Sequence, residues 1–491
     1  MRASGILLPV ASLPSRYGIG CFSKEAYEFV DRLEEAGQSY WQILPLGPTG
    51  YGDSPYQSFS TFAGNPYFID LETLVKEGLL TEEECNACDF GDNAEYIDYE
   101  KIYLSRFKVL RKAFERFAAD DVYDAFVSEN GYWLEDYALY MAIKDALGGI
   151  SWSEWPAELK DREEAALNQK REELAGEVAF YKFQQFMFLK QWKALKAYAN
   201  EKGIRIIGDI PIYVAFDSAD TWANPVLFQF DEDNQPKAVA GCPPDAFSAT
   251  GQLWGNPLYR WDYHKSTGYA WWLLRLAHVF KLYDTVRIDH FRGFEAYWAV
   301  PADEKTAING KWKKGPGEEL FRAIEKALGE ELPIFAEDLG IITPEVEKLR
   351  DSLGYPGMKV LQFGFDGLGE SSFLPHQLDT RNCICYTGTH DNDTTLGWYQ
   401  HTAHQNQDKV RRYMNTDASS ISWDFIRVCL GTIARYAIFP VQDLLNQGSE
   451  HRMNTPGTAV GNWEYRFRAG LLNEGMAKGL RQMTELFGRF G

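Results

Sequence analysis

Residues 285–294 read TVRIDHFRGF. The stretch opens with β-branched and apolar residues that suit a buried strand, yet it carries two arginines, an aspartate and a histidine. A strand with a purely structural role would end in turn residues. Catalytic side chains stand at the carboxyl ends of parallel strands in barrel enzymes. The stretch therefore indicates a buried parallel strand that ends in groups aimed at a ligand.

Seven other short segments have the same apolar or β-branched character, and helical patterns lie between many of them. Several run continuously apolar rather than alternating, as parallel strands covered on both faces do. Eight strands separated by helices predict an α/β fold of the (β/α)8 TIM-barrel type. The eight segments are GILLPV (5–10), YWQILPLG (40–47), IRIIGDIPI (204–212), TVRIDHF (285–291), PIFAEDLG (333–340), MKVLQFGF (358–365), CICYTGTHD (383–391) and YAIFPVQD (436–443).

The uneven spacing of these segments predicts large insertions around the barrel mouth. Residues 66–200, between the second and third strands, are too many for one crossover and form a helical insertion. Residues 213–260 form a second, mouth-loop insertion rich in Pro, Gly, Asp and Trp. The chain beyond Asp443 is shorter than the about 100 residues of a β-sandwich. We therefore expect a single catalytic barrel over 1–491 without a C-terminal β-sandwich.

Composition excludes several classes of function. The chain has 491 residues, 45% of them hydrophobic, and a net charge of -20, which argues against a nucleic-acid partner. No apolar run approaches the ~18 residues of a membrane span, and the N-terminus lacks a signal-peptide pattern. Seven cysteines, an odd number, suggest reduced thiols in the cytoplasm.

Acidic residues recur at the predicted strand ends and could converge on one pocket. Any one of them could stand at the end of a strand by chance, so only the whole set indicates a functional site. Two carboxylates that flank a bond are what glycoside chemistry requires, one as the nucleophile and one as a protonated acid. The residues are Asp209, Asp289, Glu337, Asp338 and the pair His390–Asp391.

Asp289 suits the role of nucleophile because Arg287, two residues earlier on the same strand face, favours its ionised form. A structural ion pair is the alternative. Glu337 follows an apolar run, where burial would raise its pKa and make it an acid. Asp338 could take that role equally well, since a buried strand does not reveal which side faces the pocket.

Other chemistries are poorly represented. The histidines form no close pair, and no phosphate-binding glycine loop is present, so we expect neither metal nor cofactor. His390 and Asp391 offer a hydroxyl-binding pair, with His390 as a general base the competing interpretation. Aromatic rings in the predicted mouth loops suit the apolar faces of sugars. These are Tyr51, Tyr56, Trp254 and Trp463.

Six motifs resemble the amylomaltase family, the 4-α-glucanotransferases of the α-amylase clan, and the resemblance runs essentially end to end. The motifs are PTGYGDSPYQSFSTFAGNP (48–66), GDIPIYV (208–214), PPDAFSATGQLWGNP (243–257), RIDHFRGF (287–294), AEDLG (336–340) and YTGTHDNDTT (386–395). One departure is Tyr465, which stands where the family pattern leads us to expect tryptophan.

The resemblance implies that Asp289 is the nucleophile, Glu337 the general acid/base and Asp391 the third carboxylate, which stabilises the transition state. It also implies a retaining double displacement without cofactor or metal. The implied substrate contacts are Arg287, His390, Asp209, Tyr56, Ser54, Tyr51, Asp245, Gln252 and Trp254.

The implied activity transfers α-1,4-glucan segments to the 4-hydroxyl of another maltodextrin. The partners would be maltodextrins, glycogen or starch-type glucans and glucose as acceptor, with no nucleic acid or membrane. An amylase-type hydrolase shares the first half-reaction, so the three acids do not exclude it. The short tail favours transfer. A silent glucan-binding protein is the less favoured alternative.

Overall fold

The computed structural model describes residues 2–50, 52–244, 248–367 and 371–490. Each of the eight predicted segments overlaps one strand of a single parallel sheet, which confirms the predicted barrel. The strands are β1 Ala3–Leu7, β2 Tyr40–Gln42, β3 Arg205–Pro211, β4 Thr285–Asp289, β5 Ile334–Ala336, β6 Gly357–Val360, β7 Cys383–Tyr386 and β8 Tyr436–Pro440.

The strands follow one another in chain order around the barrel, and β8 pairs with β1 in parallel. At the seam between β5 and β6, the amide of Ala336 donates to the carbonyl of Pro356 at 3.0 Å, so the barrel is nearly closed. Most of these strand residues are buried, which explains why their sequences are continuously apolar rather than alternating.

Helices surround the barrel and fill the long connections. The region between β2 and β3 is almost entirely helical, and the C-terminal helix packs on the first helix of the chain. The α-helices are Lys24–Glu35, Leu71–Lys76, Glu82–Asn86, Tyr99–Arg116, Asp121–Ala146, Ala157–Lys160, Glu164–Glu173, Ala175–Glu201, Ala219–Ala223, Trp261–Ser266, Ala270–Leu282, Glu318–Leu328, Pro344–Ser352, Thr395–His401, His404–Met414, Ile421–Gly431, Val441–Leu444 and Glu474–Leu486. The helix that begins at Val441 shows that β8 ends three residues earlier than the predicted segment.

A second, four-stranded antiparallel sheet lies outside the barrel, and the sequence patterns did not predict it. Two of its strands come from the connection after β3 and two from the connection after β4. The sheet therefore ties the two connections together. Its strands are Ala238–Cys242, Gln252–Pro257, Ala296–Pro301 and Lys311–Lys314. The domain division given above stays a prediction.

The barrel interior changes character along its axis. At the amino ends of the strands, the ring of Tyr436 packs against those of Tyr40 and Phe335, with centroids 5.5 and 4.8 Å away. At the carboxyl ends, Asp209 and Arg287 face one another in register on β3 and β4. The apolar end closes the barrel, and the polar end opens on the site. None of the described helices is long and apolar enough to cross a membrane.

Candidate active site

Arg287 lies at the centre of the site and holds two carboxylates. Its Nη1 donates to Asp209 Oδ2 at 2.6 Å, and its Nη2 donates to Asp289 Oδ1 at 2.7 Å. Burial alone would lower the pKa of Arg287, but the charges of Asp209 and Asp289 raise it well above its ordinary value. The guanidinium is therefore a fixed cation between two strand ends.

Asp289 is anchored through one oxygen only. Its Oδ1 accepts from Arg287, while its Oδ2 accepts no hydrogen bond from any described residue. The side chain is 29% exposed, so a ligand at the mouth can reach it. Asp209 differs, because it is fully buried and burial raises its pKa to about 6, against the opposing charge of Arg287. Asp289 thus combines a fixed orientation with a free oxygen.

Glu337 directly follows β5 and lies beside Asp289, where its side chain is buried. Its Oε1 accepts from the amide of Leu339 at 2.7 Å, and its Oε2 accepts from the amide of His290 at 2.8 Å. These bonds favour the ionised form. Burial and the charge of Asp289 outweigh them and raise the pKa of Glu337 to about 8. Glu337 therefore holds a proton near neutral pH.

The neighbouring Asp338 points away from the site. Its Oδ2 accepts from Arg350 at 2.5 Å and its Oδ1 from the amide of Met358 at 2.7 Å. Both oxygens are therefore engaged in linking β5 to β6 and to the helix Pro344–Ser352. This geometry separates two carboxyls that the sequence left equivalent.

The connection after β7 brings His390 and Asp391 to the same pocket. His390 Nε2 lies 2.9 Å from the hydroxyl of Tyr56 and 3.3 Å from Asp391 Oδ2. The hydroxyl of Tyr56 also donates to Asp209 Oδ2 at 2.7 Å. One chain of polar contacts therefore joins Arg287 to Asp391 through Asp209, Tyr56 and His390.

Asp391 is held from its other side by the loop that follows β8. Asn454 Nδ2 donates to Asp391 Oδ1 at 2.6 Å, and Arg452 Nη2 donates to the backbone carbonyl of Asp391 at 2.7 Å. Burial would raise the pKa of Asp391, but the charge and hydrogen bond of His390 and the hydrogen bond of Asn454 lower it below its ordinary range. The lowered pKa keeps this carboxylate ionised. Its side chain is 42% exposed, so a ligand can reach it.

The first mouth loop contributes Tyr56, whose ring stacks on His390 with centroids 5.5 Å apart and lies 5.8 Å from that of Trp463. The hydroxyl of Ser54 accepts from the amide of Tyr56 at 3.3 Å, so Ser54 orders this turn. Tyr51, also predicted as a substrate contact, lies outside the described residues.

The second mouth loop contributes Gln252 and Trp254. The indole Nε1 of Trp254 donates to Gln252 Oε1 at 3.1 Å, and the indole is only partly buried. Gln57 Nε2 donates to Asn256 Oδ1 at 3.3 Å and so connects the two mouth loops. Asp245, predicted as a substrate contact on this loop, lies outside the described residues.

The structure thus brings seven predicted residues into one network at the carboxyl ends of β3, β4, β5 and β7: Arg287, Asp209, Asp289, Glu337, Asp391, His390 and Tyr56. A carboxylate that is ion-paired through one oxygen and free at the other, next to a protonated carboxyl, is the pair that retaining glycosyl transfer requires. Within the described ranges, no three or more His, Cys, Asp or Glu side chains form a group that could hold a metal ion.

Three residues of the site were missed by the sequence analysis. His290 stands within the quoted motif, but nothing in its residue type reveals that its backbone is left-handed, with φ +53° and ψ +47°. Asn454 and Arg452 lie more than 60 residues from Asp391 along the chain. Their polar side chains belong to no pattern, so only the fold could identify them.

Comparisons with known proteins agree with this geometry. The model of glycoside hydrolase family 77, described as 4-alpha-glucanotransferase, matches residues 8–472. The chain is 50% identical over 497 residues to the 4-alpha-glucanotransferase of Thermus thermophilus, with 99% of this chain and 98% of that one covered. It is 47% identical over 485 residues to that of Clostridium butyricum, with 98% and 99% covered.

A solved structure, the amylomaltase from Streptococcus agalactiae in complex with acarbose, superposes with a TM-score of 0.97. Its sequence is 43% identical, and the match covers 100% of both chains. The likeness therefore extends over the whole barrel and its connections.

Proposed function

We propose that Asp289, Glu337 and Asp391 divide the chemistry of this chain, which belongs to the 4-alpha-glucanotransferase family of glycoside hydrolases. The chain transfers α-1,4-glucan segments between maltodextrins. Its family and its relatives favour this activity over hydrolysis. The observation that carries the assignment of roles is the contrast between Asp289, ion-paired with one oxygen free, and Glu337, buried and protonated.

In the first half-reaction, Asp289 Oδ2 attacks the anomeric carbon of the donor while Glu337 gives its proton to the departing glycosidic oxygen. The bond from the anomeric carbon to that oxygen breaks, and a covalent β-glucosyl ester forms on Asp289. Arg287 keeps Asp289 oriented and ionised before the attack.

In the second half-reaction, Glu337, now ionised, takes the proton from the 4-hydroxyl of an acceptor glucan. The acceptor oxygen attacks the anomeric carbon and releases Asp289, so two inversions give net retention. Asp391 binds hydroxyls of the distorted sugar, with His390 and Tyr56 beside it. Its accessible and ionised carboxylate supports this role.

Acceptor selection is assigned to the mouth loops. The partly buried indole of Trp254 offers an apolar face for a sugar ring, with Gln252 at its edge. Loops that cover the intermediate with such rings exclude water and favour a sugar acceptor. Ser54 supports the site indirectly by ordering the turn that carries Tyr56.

The organisation of the chain around this site completes the proposal. We assign residues 1–491 to one catalytic unit, in which the insertions 66–200 and 213–260 shape the barrel mouth. A cytoplasmic location is supported by the seven cysteines, none of which forms a disulfide bond with another described residue.

Incubation with pure maltotriose in the presence of a chelator tests the activity. Glucose together with maltodextrins longer than the substrate is the expected result. Glucose and maltose without longer chains would instead indicate hydrolysis, and no change would favour a silent binding protein.

The roles are tested by trapping the intermediate. In Glu337→Gln, an α-maltosyl fluoride donor needs no acid because fluoride leaves unaided, and without the base the ester should persist. Mass spectrometry should find one maltosyl group on a peptide containing Asp289. Asp338→Asn is the matched control and should turn over without accumulating the ester. A maltosyl group on any other residue would contradict the assignment.

A further inference from the structure

His290 connects two parts of the site that the mechanism treats separately. Its backbone amide donates to Glu337 Oε2 at 2.8 Å. Its imidazole and the indole of Trp254 pack in a T-shaped arrangement, with ring centroids 4.8 Å apart and planes at 87°. The same residue therefore touches the acid/base carboxyl and the aromatic ring assigned to the acceptor.

The backbone contact depends on an unusual conformation. His290 has φ +53° and ψ +47°, in the left-handed region that few non-glycine residues adopt, although asparagine, aspartate and histidine adopt it more often than the others. This turn directs two successive amides at Glu337, because the amide of Phe291 donates to the Glu337 carbonyl at 3.1 Å. The left-handed residue thus fixes both the backbone and the side chain of the acid/base.

The side-chain contact is that of a neutral aromatic ring. Burial and the nearby charge of Arg292 lower the pKa of His290 to about 3. Its Nε2 is buried and makes no hydrogen bond within the part of the chain that the structure describes. The imidazole therefore acts by packing, and an edge-to-face arrangement with an indole is a favourable one.

We propose that His290 is a positioning residue that couples acceptor binding at Trp254 to proton transfer by Glu337. The imidazole packs against the indole and fixes its plane, and the amide fixes the carboxyl that must deprotonate the acceptor. The inference rests on the proposed function. It predicts that the imidazole matters for the second half-reaction and little for the first, which needs only the amide.

Two substitutions separate the ring from the backbone. His290→Asn keeps the amide and tolerates a left-handed backbone, but it removes the ring. The first-turnover burst of fluoride from α-maltosyl fluoride should stay within about 2-fold of the wild-type rate, while the KM for glucose as acceptor should rise about 10-fold. The ratio of transfer to hydrolysis should fall accordingly. His290→Phe restores an aromatic ring without ring nitrogens; where its fluoride burst stays near wild type, which reports that the left-handed backbone is kept, its acceptor KM should return close to wild type.

A double-mutant cycle identifies the partner of the ring. In a Trp254→Leu background, His290→Asn should have little further effect on the acceptor KM, because the indole it supports is gone. His290→Gly also permits the left-handed backbone and replaces the Asn variant should that one fail to fold. His290→Val disfavours the left-handed backbone and should lower the rate of both half-reactions, unlike the Asn and Phe variants.

An unchanged acceptor KM in His290→Asn and His290→Gly would overturn the inference, since the ring would then have no role. Equal impairment of the Asn and Phe variants would also overturn it, because the nitrogens rather than the aromatic edge would then matter. Wild-type protein that forms no longer chains from maltotriose would refute the proposed function itself, which the wild-type control reveals before any variant is compared.

Discussion

Replacing Glu337 with glutamine should abolish turnover and at the same time stabilise the protein at high pH. Glu337 is buried beside Asp289, and both factors raise its pKa from an ordinary 4.5 to about 8. Between these two values the folded state holds a proton that the unfolded state releases. Stability of the wild type must therefore fall as the pH rises through this window.

The size of the effect follows from the shift. Each pKa unit corresponds to about 1.4 kcal/mol, so the window from 4.5 to about 8 costs the wild type on the order of 5 kcal/mol of unfolding free energy. Glutamine is nearly the same size and stays neutral throughout, but its amide nitrogen cannot accept, so either the amide of His290 or that of Leu339 loses its acceptor at a pH-independent cost of about 1–3 kcal/mol. For a chain of this length the Tm of Glu337→Gln relative to that of the wild type should therefore rise by on the order of 5 °C between pH 5 and pH 9.

Thermal unfolding of the wild type and Glu337→Gln between pH 5 and 9 measures the difference. Asp338→Asn is the matched control, because that carboxylate pairs with Arg350. Its loss should destabilise the protein by about 3 kcal/mol at neutral pH. A Tm gap between wild type and Glu337→Gln that does not change with pH, or a less stable glutamine variant at pH 9, would refute the reasoning.

The remaining predictions concern catalysis. The kcat/KM for maltotriose should fall on the alkaline side with an apparent pKa near 8, as Glu337 loses its proton, and a flat profile to pH 9.5 would contradict this. Asn454→Ala removes the amide that holds Asp391 and should lower kcat about 10-fold at constant stability, whereas Asn454→Asp, which adds a like charge, should lower it further. Arg287→Lys cannot bridge two carboxylates with one ammonium and should lower kcat at least about 100-fold in steady-state assays.

The barrel was predictable because each strand carries a local signal. Parallel strands buried on both faces are largely apolar along their length, and several of the eight segments are continuously apolar. The antiparallel sheet was not predictable in the same way. Its strands Ala238–Cys242 and Ala296–Pro301 pair across more than 50 residues, and Lys311–Lys314 is a fully exposed edge without an apolar pattern. Such strands form because they pair with strands that are distant in the sequence, and no local pattern marks them.

The site was predictable to the extent that chemistry follows residue type. The spacing of Arg287 and Asp289 put both side chains on one strand face, and the hydrogen bonds agree with that spacing. The choice between Glu337 and Asp338 was not decidable from neighbouring residues. Arg350, which engages Asp338, lies 12 residues later along the chain, so the difference between the two carboxyls arises from tertiary contacts.

Arg287 explains how adjacent carboxyls acquire opposite protonation states. Its two hydrogen-bonding arms are used by Asp209 and Asp289, and only the longer-range part of its charge reaches Glu337. Glu337 therefore retains the proton, gives it to the leaving oxygen when the ester neutralises Asp289, and recovers it from the acceptor hydroxyl. The protonation state of the site is the same before and after each transfer. Glu337 can therefore serve as the acid for the leaving glucan and as the base for the incoming one. The choice of a sugar rather than water as acceptor is then left to the mouth loops.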